Sequence, residues 1–220
     1  MYPAFDHILT QVPDLEAAMA DYSTLLPAAG TDGFALANVN VQLQQVDDIA
    51  APRIAALALL DPAMAPGTSA PLAGGPRKIP LLRANNRDPR YCEPESATGI
   101  YAVDHLVLQS ADAEACIELF REQLGLRLAL DQEVPEWGGR MLFFRHGKMT
   151  LEVIHNLEKP PARDSFWGIT YLCHDIDQTL AALAKAGVQH SPLRQGRKPG
   201  TRVSTLNSHC LGLPTLLISP

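Results

Sequence analysis

Between residues 101 and 157 the period of the apolar positions changes in an order that maps one structural unit. Ala102 to Leu108 is a short β-rich run. Ala113, Cys116, Ile117, Phe120 and Leu124 then recur at helical spacing, with Asp112 where an N-cap belongs and Gly125 as a stop. Three further short runs follow, Leu126 to Leu130, Arg140 to Arg145 and Met149 to His155. Gly138-Gly139 precedes the second, and His146-Gly147-Lys148 makes a tight turn before the third. The spacing predicts strand, helix and three strands, a βαβββ unit.

The same letters recur elsewhere in the chain. Phe5-Asp6-His7-Ile8-Leu9-Thr10-Gln11-Val12-Pro13-Asp14-Leu15-Glu16-Ala17 aligns without gaps with the segment from Val103 to Ala115, and Asp, His, Gln, Asp, Glu and Ala repeat at a constant offset of 98. A weaker copy begins at Trp167-Gly168-Ile169 and reaches Asp175-Ile176-Asp177, which match Asp112-Ala113-Glu114 at an offset of 63. It predicts a strand at Gly168 to Leu172, a helix carrying Ile176, Leu180 and Leu183 that stops at Gly187, and strands near Gln189, Arg202 and Thr215 to Ile218. The first copy predicts a helix carrying Leu15, Met19, Tyr22 and Leu26, with strands near Phe34 and from Val39 to Val46, one strand short of a full unit. Residues 50–98 hold two apolar runs, Ile54 to Leu60 and Ile79 to Leu82, divided by a Pro/Gly/Ser stretch with no helical period. They read as a degenerate module or as a linker contributing edge strands. The expected division is an N-terminal half, 1–98, with a module at 1–48, and a C-terminal half, 101–220, with modules at 101–157 and 165–220.

Composition removes several classes of partner. A net charge of −6 with basic residues spread along the chain leaves no footprint for nucleic acid or anionic lipid. No apolar run approaches the roughly 18 residues that span a bilayer, and the chain opens without a signal-like segment, so a cytoplasmic protein is expected. Cys92, Cys116, Cys173 and Cys210 are widely spaced with no CxxC pair, as for reduced thiols. No Ser-His-Asp constellation, phosphate loop or zinc-cysteine cluster is present.

Asp104-His105-Leu106-Val107-Leu108, Leu124-Gly125-Leu126, and Gly139 to Phe144 leading into Thr150-Leu151-Glu152-Val153-Ile154 resemble the glyoxalase, bleomycin-resistance and extradiol-dioxygenase proteins, the vicinal oxygen chelate superfamily. The resemblance implies an α+β fold of repeated βαβββ modules forming cupped mixed sheets with helices on the outside. It also implies a divalent metal ion held by a His on the first strand and a Glu on the last, here His105 and Glu152, with His7 as the N-terminal counterpart of His105. Gln42 and Gln44 share one strand face at or near the counterpart of Glu152. Glu152 would be a ligand or, if displaced, the catalytic base.

The residues alone leave this open. A carboxylate in an apolar strand is offset by a metal ion, or by an arginine such as Arg140 or Arg145. The last module departs from the pattern: the expected counterparts of His105 and Glu152 are Gly168 and Leu217, neither a ligand, which disfavours a ring-cleaving dioxygenase. If His7 and Gln42 join His105 and Glu152, the set resembles that of glyoxalase-like lyases and acyl-CoA epimerases. The leading expectation is a metal-dependent lyase, isomerase or epimerase acting on a small substrate with vicinal oxygens, with a homodimer as a further expectation. The alternative is a metal-free small-molecule binding or sequestration protein of the bleomycin-resistance type. Trp137 is a candidate pocket wall or loop anchor, and His209, after Asn207-Ser208, a candidate for the pocket mouth.

Overall fold

A computed structural model describes residues 2–27, 30–87 and 94–220; Cys92 and the side chain of Trp137 lie outside the described set. Two sheets carry the architecture, one between Phe5 and Ala84 and the other between Ile100 and Ser219.

The eight-stranded sheet contains two complete modules. The first is β7 (Ile100–Gln109), helix α2 (Ala113–Ile117, continuing as a π-helix over Glu118–Gln123), β8 (Arg127–Val134), β9 (Gly139–His146) and β10 (Met149–Asn156). The second is β11 (Ser165–Cys173), α3 (Ile176–Lys185), β12 (Arg194–Gln195), β13 (Arg202–Leu206) and β14 (Thr215–Ser219). The strand order is β12-β13-β14-β11-β7-β10-β9-β8, so each module's last strand returns parallel to its first, and the two first strands meet antiparallel at the centre. The strand expected near Gln189 is reduced to an isolated bridge between His190 and Leu206.

The six-stranded sheet repeats this plan with pieces missing. Its elements are β1 (Phe5–Val12), α1 (Leu15–Ser23), β2 (Gly33–Ala35), β3 (Asn40–Gln45), β4 (Arg53–Leu60), β5 (Ser69–Leu72) and β6 (Leu81–Ala84), in the order β2-β3-β1-β4-β6-β5. β1 pairs parallel with β3, β4 pairs parallel with β6, and β1 meets β4 antiparallel at the centre. Both modules lack the outermost strand, and the second also lacks the helix. Residues 50–87 therefore build a degenerate module whose β4 is central, rather than a linker supplying edges alone. β4 is apolar almost throughout, and Ala56 to Leu60 are all buried. A strand covered on both faces has no reason to alternate.

Each helix starts at an aspartate whose carboxylate accepts from a backbone N–H of the first turn: Asp14 from Ala17, Asp112 from Ala115, and Asp175 from Asp177 and Gln178. The helices cover one face of the sheets, where Leu106, Leu108, Phe144, Leu151 and Val153 are fully buried and Phe120 packs on Phe144. One apolar core runs through both halves.

The opposite face of the eight-stranded sheet is the cup. The halves are stitched together by Asn38, whose side chain bonds the N–H and C=O of Val103 and the carbonyl of Lys148, occupying the ladder position just before β10 begins. Arg77 adds a contact in which Nε and Nη2 both donate to Oδ1 of the buried Asp164.

Candidate functional site

A bulge in β7 creates the C-terminal site. His105 pairs with Thr170 of β11 while Val103 pairs with Tyr171, so Asp104 is the extra residue between them. The bulge re-aims the strand: Val103 stays in the core, and His105 turns with Thr150 and Thr170 into the cup. The next row of the cup runs Leu130, Phe143, Glu152, Val107, Gly168. Glu152 is thus set among apolar side chains, and its side chain is only 10% exposed.

His105 stands between two carboxylates. Its Nδ1 lies 2.8 Å from Asp104 Oδ2, while its Nε2 lies 2.9 Å from Thr170 Oγ1 and 3.3 Å from Glu152 Oε2. A carboxylate that accepts from Nδ1–H leaves the lone pair on Nε2, aimed at the Thr170 hydroxyl and at Glu152. The two carboxyls are pushed in opposite directions. Burial raises Glu152 above the usual carboxylate range, against the pull of His105 and Arg197 and with a small push from Asp104. Burial also works against ionised Asp104, but the hydrogen bond and charge of His105, with Lys198 and Arg145, more than reverse it and hold Asp104 low. Arg197 reaches over the cup, with Nη1 3.8 Å from Met141 Sδ.

The N-terminal sheet repeats the device. A register shift in β1 falls between Phe5 and Ile8, and His7 Nδ1 lies 2.6 Å from Asp6 Oδ1. Asp6 Oδ2 accepts the backbone N–H of Asn86. Gln42 pairs with Leu9 as Glu152 pairs with Val107, which puts Gln42 at the register position of Glu152. His7 and Gln42 line one cavity of about 230 Å³ with Asp32, Gly33, Phe34, Asn40, Val41 and Asn86.

The ligand positions of the other two modules carry no donor. Val107 faces Gly168 as Leu9 faces Ala56, so Gly168 and Ala56 occupy the positions of His105 and His7. Thr170 pairs with Leu216 and Ala58 with Leu82, which places Leu216 and Leu82 at the Glu152 position. The expected counterpart Leu217 is one residue out: it pairs with Tyr171 and is buried on the helix side.

His105 and Glu152 therefore come together, and so do His7 and Gln42, but within one chain the cavity lined by His7 and Gln42 includes neither His105 nor Glu152 among the described residues. Among the described residues no three His, Cys, Asp or Glu side chains gather as a metal site. The reason lies in the duplication, which placed a whole Asp-His device in each sheet rather than dividing one site between them. His209 bonds Ser208, with no link to either pair. The sequence reading assigned no role to Asp104, Thr170, Arg197 or Asn86. Asp104 had a signal, since the Asp-His dipeptide recurs with Asp6-His7. Asn86 falls in the stretch without a legible period.

Residues 104–205 match the model of the glyoxalase/bleomycin resistance protein/dioxygenase superfamily. The match covers a little under half of the chain, and over that stretch the chain is similar to the superfamily. This glyoxalase-like chain is 26% identical over 131 residues to an ethylmalonyl-CoA/methylmalonyl-CoA epimerase from Cereibacter sphaeroides, covering 54% of this chain and 87% of the relative. Among solved structures, a mutant 4-hydroxymandelate synthase from Streptomyces coelicolor has a TM-score of 0.68 at 15% identity, covering 100% of this chain and 93% of that one. It shows that the double-cup fold spans the whole glyoxalase-like chain. Methylmalonyl-CoA epimerase from Mycobacterium tuberculosis has a TM-score of 0.49 at 17% identity, covering 58% of this chain and 93% of its own.

Proposed function

We propose that the C-terminal cup moves a proton at a carbon next to a carbonyl, the chemistry of an epimerase or isomerase, with Glu152 as proton carrier and His105 as its partner. The observation that carries this reading is one imidazole between two carboxyls whose proton affinities are driven apart, Asp104 low at Nδ1 and Glu152 high at Nε2. Separated affinities of this kind divide acid from base. Burial raises the proton affinity of Glu152 beside the Nε2 atom of His105, 3.3 Å away, so a proton carrier and an imidazole stand together.

The superfamily implies a divalent ion, but the donors do not fit a resident one. His105 and Glu152 are two protein ligands, Gly168 and Leu216 offer none, and a catalytic site ordinarily has three. The proton chemistry then falls to the side chains. Arg197 brings positive charge toward Glu152, where it also offsets the charge of an enolate. Leu130, at one end of the Glu152 row, and Trp167, next to Gly168 in β11, are exposed large apolar residues and offer a surface for an acyl body. The epimerase relative supports acyl-CoA thioesters as the substrates to try first.

A second reading, a metal-free binding protein, is favoured by the donorless positions Gly168 and Leu216. One experiment separates the readings: chelator-treated protein is incubated with methylmalonyl-CoA or ethylmalonyl-CoA in D2O, and deuterium entry at the α-carbon is followed by mass spectrometry. Exchange is expected, slowed about 100-fold or more in Glu152→Gln. Binding without exchange favours the binding protein. Exchange that vanishes on chelation and returns with added metal restores the ion to the mechanism.

A further inference from the structure

The geometry points to a second ligand site in the N-terminal cup, built for a small neutral polyhydroxylated compound and independent of the His105–Glu152 pair. His7 is 2% exposed, and its ring contacts among the described residues use Nδ1 alone, toward Asp6 and Asn86. Nε2 has no protein partner among the described residues and is not sealed in the core, so it opens on the cavity that His7 lines. Asn40, Gln42 and Asp32 line the same cavity, and their side chains likewise make no hydrogen bond or ion pair among the described residues. A nine-tenths buried imidazole fixed by a fully buried carboxylate, facing two idle amides, is a costly arrangement if nothing occupies the space between them.

Charge and size narrow the occupant. Among the described residues no Lys or Arg lines the cavity, and Asp32 adds negative charge, so an anion finds no counter-charge among them. Asp6 is already satisfied by the His7 ring and the Asn86 N–H, and Asp32 is exposed, so no buried unpaired charge calls for a cation. One imidazole with amides also falls short of a first-row metal site. What remains is hydrogen-bonding capacity of both kinds. Each amide offers a donor beside an acceptor, the pattern that adjacent hydroxyls match, and His7 Nε2 accepts one O–H. The volume of about 230 Å³ corresponds to about eight waters at roughly 30 Å³ each, room for a polyol of three to six carbons.

The test uses the full chain with ¹⁵N-labelled His, Asn and Gln, titrated with glycerol, xylose and glucose into the high-millimolar range. Saturable shifts of the His7 Nε2, Asn40 and Gln42 side-chain resonances are expected with at least one of them, and the His105 resonances should stay fixed. Gln42→Leu, which removes one amide from the cavity wall, should weaken binding about tenfold, as expected for one lost hydrogen bond. It should leave deuterium exchange at the C-terminal cup unchanged. No shift with any polyol overturns the inference. So do shifts produced by acetate or phosphate but not by polyols, or by Zn²⁺ or Ni²⁺ alone.

Discussion

Glu152 places an ionisable group where ionisation is unfavourable, and this has a measurable signature in stability. Burial raises its proton affinity in the folded state, so the folded chain holds this proton more tightly than the unfolded chain does. Stability from this group is therefore full below the unfolded value of about 4.3 and falls as pH rises toward the higher folded value, above which the loss is complete. Glu152→Gln keeps the shape and removes the titration. Denaturant unfolding of the two proteins, compared at acidic and at neutral pH, should show the variant gaining on the parent as pH rises. A difference independent of pH would mean that Glu152 is not held in a desolvated setting. Asp104 runs the other way: its lowered value adds stability above about 3.9 that is lost as pH falls through the folded value.

At the scale of elements, the aspartate caps give a direct check on the repeat. Asp112 accepts the Ala115 N–H at 2.9 Å, and Asp112→Ala should cost about 1 kcal/mol in chemical denaturation. These caps were legible because capping is local chemistry, and the middle module was legible because its period changes cleanly from strand to helix to strand. Only the ends moved: β7 begins at Ile100 where Ala102 was expected, and β8 starts at Arg127 and runs on to Val134. β5 was missed, since Ser69 to Leu72 is short, carries Pro71 and lies at a sheet edge, too brief for its alternation to stand out. The bulges were equally invisible. Alternation alone puts Val103 and His105 on one face, and only the inserted Asp104 separates them. That one-residue displacement decides whether the imidazole meets Thr170 and Glu152 or enters the core. The offset of 98 made His7 readable as the counterpart of His105, whereas Gln42 was one of two candidates beside Gln44, and the separation of the two sites was not readable, because it depends on how whole sheets are assembled.

Across the molecule, the halves share one apolar core and are pinned by demanding polar contacts. Asn38 is 6% exposed and satisfies both backbone groups of Val103. Asn38→Ala strands buried donors and acceptors, each worth about 1–3 kcal/mol, so a loss of about 2–4 kcal/mol is expected. Because one apolar core runs through both sheets, the unfolding of parent and variant should remain a single transition by calorimetry and fluorescence alike. Two separated transitions would show that the halves are thermodynamically independent despite the shared core.

Gly168 gives the fold a historical direction. A Cβ at this position would lie 2.8 Å from the carbonyl oxygen of Pro214 and 3.1 Å from its Cβ. The loop leading into β14 occupies the space that a side chain would need, so a side chain at this position requires the loop to shift. A lineage that once lost an imidazole here would have to shift its loop before regaining one. The order of mutations, and not only their sum, then decides which chemistries the C-terminal cup can reach.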